Sequence, residues 1–164
     1  GKTVGTSLKE DEWVERASEM LQKAQDKGVA LLLPSDVVVA DKFAEDARTE
    51  TVSVDNIPSD MMGLDIGPET SKAYADAIAQ AKTVFWNGPM GVFEMKAFEE
   101  GTKQVALAVA TNAEADTIIG GGDSVAAVTK FDLASKMTFI STGGGASMEL
   151  VQGEKLPGVE ALRK

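Results

Sequence analysis

Residues 116–128 read DTIIGGGDSVAAV, and residues 137–150 read MTFISTGGGASMEL. In each stretch a short apolar run is followed by three glycines and then by small residues that begin a helical pattern. A helix that starts directly after a strand points its unbonded N–H groups and the positive end of its dipole outward, which favours a bound phosphate. Two such loops on adjacent parallel strands are predicted to lie side by side at the carboxyl edge of one sheet.

Neither glycine loop matches a standard nucleotide fingerprint. Val125 stands where the G-x-G-x-x-G pattern needs its third glycine, and no Gly-Lys-Ser or Gly-Lys-Thr occurs. The residues therefore leave two interpretations open: a pair of phosphate-binding loops, or two tight turns that need glycine for a positive φ. A dinucleotide oxidoreductase is disfavoured, because the chain lacks both that glycine pattern and the acidic residue placed for a ribose.

Composition narrows the class of protein. The 164 residues are about the length of one domain, and 43% hydrophobic with 26% charged residues is typical of a globular chain. The net charge of −10 argues against nucleic acid and against an anionic membrane surface as partners. The absence of cysteine and histidine excludes disulfides, thiolate catalysis and a histidine base from this chain. Any phosphate-bearing ligand would have to be held by main-chain amides, helix ends or a metal ion. The lack of cysteine fits a reducing compartment, and we expect a cytoplasmic protein.

The order of predicted elements indicates an α/β protein. We predict one partial nucleotide-binding domain over residues 1–164, a doubly wound, Rossmann-like, three-layer fold with about four parallel strands and a small edge hairpin. The parallel strands are predicted at residues 29–33, at residues 83–86 and before each glycine loop, and the hairpin at residues 37–40 and 51–54.

Helices are predicted from their start signals and apolar periodicity. A capping box at residues 7–10 predicts a helix that ends at Gly28, and Pro68 predicts the first turn of another. A third helix is predicted around residues 98–109 with Gly101 as a flaw in its middle, and a short helical tail at residues 159–164. Residues 55–68 are predicted to be an irregular loop that either walls a pocket or packs on the core.

Two acidic residues have two interpretations each. Asp123 stands where an N-cap would, so its carboxylate either accepts the first-turn amides or lies near a bound phosphate and holds Mg²⁺. Both roles can coexist on its two oxygens. Glu94 is either a solvated loop acid or an acceptor for ribose hydroxyls.

Several motifs resemble one family. The stretches WNGPMGVFE at 86–94, IIGGGDS at 118–124, STGGGAS at 141–147 and LPGV at 156–159 are similar to the C-terminal, nucleotide-binding domain of phosphoglycerate kinase. The similarity extends in order over essentially the whole chain, through GTSL at 5–8, LPSDVVVADKF at 33–43 and GLDIGP at 63–68. The resemblance implies phosphoryl transfer between 1,3-bisphosphoglycerate and ADP in glycolysis, with a magnesium nucleotide, MgADP or MgATP, bound on this domain.

The resemblance also implies a role for each matching residue. Asn87 would lie near the phosphates, and Glu94 would take the ribose hydroxyls. Gly143 and Gly144 would offer amides to the transferring phosphoryl group, and Asp123 would hold Mg²⁺. The adenine and ribose side would be lined by Leu8, Gly63, Leu64, Pro89, Gly91 and Val92. The nucleotide phosphates would meet Gly120, Gly121, Gly122, Asp123 and Ser124.

The chain departs from the family pattern at its start. The N-terminal domain with its basic patch and arginine is missing, as are the first two strands of the C-terminal domain with a lysine-bearing turn. We therefore predict at most weak Mg-nucleotide binding and essentially no kinase activity for the isolated chain, since the missing cations neutralise the transferring phosphoryl. The alternative is a structural or folding fragment with a vestigial site and no ligand.

The missing strands pose a folding problem. In the usual strand order they would lie between the strands at residues 29–33 and 83–86. We expect those two strands to pair directly, or the chain to self-associate or receive strands from a complementing chain.

Overall fold

The computed structural model describes residues 2–163 and consists of two small sheets joined by helices. Short 3₁₀ turns lie at Asp11–Trp13, Lys96–Phe98 and Ala134–Lys136. The strands are β1 Asp36–Ala40, β2 Thr49–Ser53, β3 Met62–Ile66, β4 Thr83–Asn87, β5 Asp116–Gly120 and β6 Phe139–Ser141. The helices are α1 Val14–Asp26, α2 Pro68–Gln80, α3 Glu100–Thr111, α4 Gly122–Lys130, α5 Gly144–Val151 and α6 Pro157–Leu162.

The parallel sheet carries the two glycine loops. Its strand order is β4-β5-β6, with Phe85 opposite Ile118 and Gly120 opposite Ser141. Because α3 connects β4 to β5 and α4 connects β5 to β6, right-handed crossovers place both helices on one face. The hydrophobic core lies between this face of the sheet and the helices, and the burial of its apolar side chains holds them together. The core contains Trp86, Phe93, Val105, Val109, Ile119 and Val128.

The antiparallel sheet, in the order β2-β1-β3, is attached to α2 by a buried aspartate. Asp36 Oδ1 accepts hydrogen bonds from the Thr70 N–H at 2.8 Å and the Thr70 hydroxyl at 2.6 Å, and Oδ2 accepts the Glu69 N–H at 3.0 Å. A carboxylate from β1 therefore satisfies the otherwise unbonded first-turn amides of α2, a helix that begins at Pro68 as predicted.

The α/β fold class is confirmed, with three parallel strands and a small antiparallel sheet. The predicted strand at residues 29–33 does not form, because no neighbouring strand within residues 2–163 pairs with it. Leu31, Leu32 and Leu33 are about half exposed. Direct pairing of residues 29–33 with β4 is one of the expected ways to close the sheet. This pairing does not occur within residues 2–163.

Three further local predictions are corrected. Residues 62–66 form β3 rather than an irregular loop, and they pair with β1. The capping box is not made, since the Ser7 hydroxyl instead accepts the Gly63 N–H at 2.9 Å and α1 begins only at Val14. Gly101 lies in the first turn of α3 rather than in its middle.

Other local predictions are confirmed. Gly28 ends α1 with a φ of +66°. The hairpin strands appear as β1 and β2, and the tail forms α6; the predicted end of that helix at Lys164 lies outside the described residues.

Candidate functional site

The two glycine loops converge. Gly121 donates its N–H to the Ser141 carbonyl at 3.1 Å, which links the loop after β5 to the end of β6. The loops approach so closely that a Cβ atom on Gly144 would lie 2.7 Å from Gly121 Cα and 2.9 Å from Gly121 N. The structure therefore places the starts of α4 and α5 side by side at the carboxyl edge of the parallel sheet, as the sequence predicts.

Six main-chain N–H groups at these helix starts lack an acceptor among residues 2–163. They belong to the first three residues of α4, 122–124, and of α5, 144–146. Such groups carry the positive end of the helix dipole and form a ready site for an anion. The pair of helix starts can therefore bind phosphate without a basic side chain.

Asp123 is exposed at the second position of α4, and its carboxylate makes no hydrogen bond or ion pair within the described chain. The N-cap is instead Gly121, with a φ of +95° that favours glycine. The expected capping role of Asp123 is therefore not made, and both carboxylate oxygens are available to a cation.

The donor set around Asp123 fits Mg²⁺ with a phosphate ligand. Among residues 2–163, no three acidic or histidine side chains cluster so that they could hold a metal ion by themselves. Mg²⁺ commonly takes one or two carboxylates and completes its shell with phosphate oxygens and water. Asp123 supplies one such carboxylate beside the free amides.

Asn87 and Ser124 connect the loop after β4 to this site. A Cβ atom on Gly121 would lie 2.8 Å from Asn87 Oδ1, which places the Asn87 side chain beside the first glycine loop. The buried Ser124 hydroxyl accepts the Gly88 N–H at 2.7 Å. Ser124 therefore positions the neighbouring loop with its side chain, while its own N–H is among the free amides.

The residues predicted for the adenine side lie partly together. Gly63, Leu64, Gly91 and Val92 line one groove of about 410 Å³, and the Val92 N–H donates to the Leu64 carbonyl at 2.9 Å. These contacts join the loop after β4 to β3.

Leu8, Pro89 and Glu94 do not line this groove. Leu8 is fully exposed, next to the Ser7 hydroxyl that bonds Gly63. Pro89 is half-buried in the loop after β4. Glu94 is exposed, and its carboxylate makes no hydrogen bond or ion pair within residues 2–163, so either interpretation of this residue remains compatible with its position.

Two buried residues that the sequence interpretation missed support the groove. The Thr102 hydroxyl accepts the N–H groups of Met90 and Gly91, each at 3.1 Å. Asp65 Oδ2 accepts the Gly101 N–H at 2.7 Å, and Cβ atoms on Gly91 or Gly101 would overlap the Asp65 carboxylate. An aspartate within a short apolar strand is the sequence signal that could have identified Asp65 as a structural residue.

Burial raises the pKa of Asp65 to about 6. Hydrogen bonds from the Gly101 and Ile66 N–H groups oppose this effect, and the nearby Glu100 carboxylate adds to it. Removal of the carboxylate from water therefore outweighs its two main-chain donors, and Asp65 becomes ionised near pH 6.

Comparison of the sequence with known protein families identifies the family to which the chain belongs. Residues 1–154 match the family model described as phosphoglycerate kinase. The chain belongs to the phosphoglycerate kinase family. It is 58% identical over 162 residues to phosphoglycerate kinase of Trichodesmium erythraeum, and 59% identical over 164 residues to that of Acaryochloris marina. In both cases the match covers 99% of this chain but only 41% of the relative, so the chain spans about two fifths of the length of these kinases.

Solved structures give the same result. The structure of phosphoglycerate kinase from Coxiella burnetii is similar with a TM-score of 0.93 and 46% identity, over 98% of this chain and 41% of that one. Phosphoglycerate kinase from Pyrococcus horikoshii is similar with a TM-score of 0.78 and 31% identity, over 93% of this chain and 36% of that one.

Among residues 2–163, none of the helices combines the length and the apolar composition that a membrane-spanning helix needs.

Proposed function

We propose that the chain is a partial nucleotide-binding domain, over residues 1–164, that binds the magnesium complex of ADP or ATP. The observation that carries this proposal is the convergence of the two helix starts, with the Gly121 N–H bonded to the Ser141 carbonyl and Gly144 against Gly121. Adjacent unbonded amides are the anion site that an acidic chain without a basic cluster needs.

The roles follow from position and from the family. Gly120 ends β5, and the amides of Gly122, Asp123 and Ser124 would hold the nucleotide phosphates, with Gly121 shaping the turn. The unbonded N–H of Gly144 would face the transferring phosphoryl group, and so would the Gly143 N–H once it leaves the Ser141 hydroxyl, to which it donates at 3.2 Å. Asn87 would lie beside the phosphates.

On the nucleoside side, the groove that contains Gly63, Leu64, Gly91 and Val92 would take the adenine, with Leu8 and Pro89 at its edge. Glu94 would accept the ribose hydroxyls. Asp123 would hold Mg²⁺, which when bound supplies positive charge to the phosphates.

In the whole kinase this site would serve phosphoryl transfer between 1,3-bisphosphoglycerate and ADP, a glycolytic step, and we place the protein in the cytoplasm on that ground. Phosphoryl transfer depends on cations that neutralise the developing charge, and an arginine alone can contribute about 10³-fold. Residues 118–124 and 141–147 contain no lysine or arginine. We therefore expect the isolated chain to have no measurable kinase activity in a coupled assay; near-normal turnover would contradict this.

Calorimetric titration with MgADP tests the proposal. We expect a binding signal that weakens at least tenfold in Asp123→Ala, because the carboxylate ligand is lost. Asp116→Ala is the matched control: it removes the same charge from an exposed residue at the opposite end of β5 and is expected to bind like the unchanged chain. No heat and no chemical-shift change at millimolar MgADP would instead favour a structural fragment with a vestigial site.

A further inference from the structure

Lys130, the last residue of α4, holds the loop that follows β4. Its Nζ donates a hydrogen bond to the Phe93 carbonyl at 2.6 Å and makes a longer one, at 3.5 Å, to the Glu94 carbonyl. A hydrogen bond from a cationic donor is stronger than one between neutral groups. Lys130 therefore fixes the main chain at Glu94, the residue to which the proposed function assigns the ribose hydroxyls.

The same helix holds the loop at its other end. The buried Ser124 hydroxyl, in the first turn of α4, accepts the Gly88 N–H at 2.7 Å. Ser124 and Lys130 are six residues apart, which is about 9 Å along a helix axis. The loop at residues 88–94 is therefore attached at both ends to one rigid element, and the start of that element carries the unbonded amides proposed for the phosphates.

The charge of Lys130 is balanced by a residue other than Glu94. Nζ lies 2.7 Å from Glu99 Oε2, and the two side chains are 36% and 18% exposed. Within residues 2–163 the Glu94 carboxylate makes no ion pair with Lys130, which contacts only the Glu94 main chain. An ion pair there would compete with ribose hydroxyls for the carboxylate oxygens. Lys130 therefore places Glu94 while leaving its carboxylate available.

A lysine at the end of a helix also has a purely structural explanation. Its charge interacts favourably with the negative end of the helix dipole, and its partly exposed ion pair with Glu99 adds little stability. Neither effect requires Nζ to reach a carbonyl 37 residues away in the chain. The contact with the Phe93 carbonyl is what distinguishes Lys130 from an ordinary helix-ending lysine.

We propose that Lys130 is a positioning residue for the ribose: it holds the main chain at Phe93 and Glu94 so that the Glu94 carboxylate meets the ribose hydroxyls of a nucleotide whose phosphates lie at the start of α4. This role rests on the proposed nucleotide binding, to which it adds the residue that links the two ends of the site. Loss of Lys130 should therefore reduce the discrimination between ligands with and without ribose hydroxyls, and should leave the binding of phosphate groups unchanged.

Three magnesium-loaded probes separate the two ends of the site: ADP, 2′,3′-dideoxy-ADP and inorganic pyrophosphate, each titrated by NMR chemical shifts. We expect the unchanged chain to bind ADP about tenfold more tightly than the dideoxy analogue, since only ADP offers hydroxyls to a charged acceptor. Lys130→Met should bring this ratio close to one without changing the affinity for pyrophosphate. Lys130→Arg keeps a cationic donor and should restore most of the ratio.

Lys136→Met is the matched control. It removes the same charge from an exposed lysine whose side chain makes no hydrogen bond or ion pair in the described part of the chain, so the full ratio should remain. Glu94→Gln tests the route of the effect. If Lys130 acts through Glu94, the variant with both Lys130→Met and Glu94→Gln should discriminate no less than either single variant, because both changes remove one interaction.

Each outcome decides the role of Lys130. Circular dichroism verifies the fold of every variant, and Lys130→Ala replaces Lys130→Met if the latter does not fold. The role is overturned, with nucleotide binding intact, if the unchanged chain binds ADP and its dideoxy analogue equally or if Lys130→Met keeps the preference for ADP. A loss of pyrophosphate affinity as large as the loss of ADP affinity also overturns it, since Lys130 then acts on the whole site. If the unchanged chain binds none of the three probes, the proposed function fails and this role fails with it.

Discussion

Asp65 Oδ2 accepts the main-chain N–H of Gly101 at 2.7 Å, which joins β3 to the first turn of α3. The two residues are 36 positions apart in the chain and both are buried. The same carboxylate lies so close to Gly91 that a side chain there would overlap it. One buried aspartate therefore determines the distance between the antiparallel sheet, the start of α3 and the loop that lines the adenine-side groove.

Asp65 should give the stability a specific pH dependence. Its pKa is raised from 3.8 to about 6, so the folded state binds the proton more tightly than the unfolded chain does. Its contribution is present in full below about pH 4, decreases by about 3 kcal/mol as the pH rises to about 6, and is then constant. Asp65→Asn should lack this decrease, so the difference in unfolding free energy between the two proteins should change over that range.

Urea denaturation at intervals between pH 4 and pH 7 measures the effect. Asp60→Asn, an exposed aspartate, is the control and should follow the unchanged protein. A difference between the wild-type chain and Asp65→Asn that stays constant from pH 4 to pH 7 would contradict the raised pKa.

Asp36 should give the unfolding free energy a pH dependence of the opposite sign to that of Asp65. Burial raises its pKa, but the hydrogen bonds from the Thr70 hydroxyl, the Thr70 N–H and the Glu69 N–H outweigh burial and hold the pKa below 3.8. The stabilisation is therefore present above about pH 4 and is lost as the pH falls through the lowered value. At pH 7, Asp36→Asn should lower the free energy of unfolding by about 2 kcal/mol, because two first-turn amides of α2 lose a charged acceptor. In a urea denaturation series extended to about pH 2, the deficit should shrink below pH 4; a deficit that grows in acid would disprove this account.

Gly144 and Gly145 should differ sharply on substitution by alanine. A Cβ atom on Gly144 would meet the Gly121 main chain at 2.7 Å, whereas nothing lies within 4 Å of one on Gly145. We expect Gly144→Ala to lower the unfolding free energy by about 1–3 kcal/mol and to weaken MgADP binding, since the two helix starts must move apart. Gly145→Ala should leave both nearly unchanged. Thermal denaturation and the MgADP titration measure the pair, and equal behaviour of the two variants would refute the close approach of the loops.

The Thr102 hydroxyl should be required to hold the loop after β4 in its observed conformation. Thr102→Val keeps the side-chain shape but leaves the N–H groups of Met90 and Gly91 without their acceptor. Unsatisfied buried donors cost about 1–3 kcal/mol, so we expect a loss of that size in unfolding free energy and faster exchange of these two amides. Thr102→Ser retains the acceptor and should keep the amides protected even where it loses some packing. Protection of Met90 and Gly91 that survives in Thr102→Val would mean that another group accepts these bonds.

Local patterns predicted much of the site. The glycine loops, the start of α2 at Pro68 and the strand β4 depend on main-chain preferences over a few neighbouring residues, and each appears at the expected place. Asp123 illustrates the limit of such patterns, because its position suggested an N-cap, whereas Gly121 takes that role with a φ of +95°. Gly121, two residues earlier in the chain, adopts a conformation that the identity of Asp123 does not reveal.

The errors share a physical cause. Residues 29–33 are as apolar as a buried strand, and residues 62–66 are interrupted by Gly63 and Asp65, yet only the second segment forms a strand. A strand exists only where a neighbour bonds its main chain, and β1 pairs with β3 while no described strand pairs with residues 29–33.

The order of residues by itself determined the α/β class, the family and the two helix starts with unbonded amides, because strand, glycine turn and helix follow one another directly in the chain. Only the tertiary structure decided that Asp36 and Asp65 bond helices more than thirty residues away, and that Gly144 contacts Gly121. Those features depend on which distant segments come into contact, because the burial of a side chain and the pairing of main-chain groups are determined by that contact and not by the neighbouring sequence.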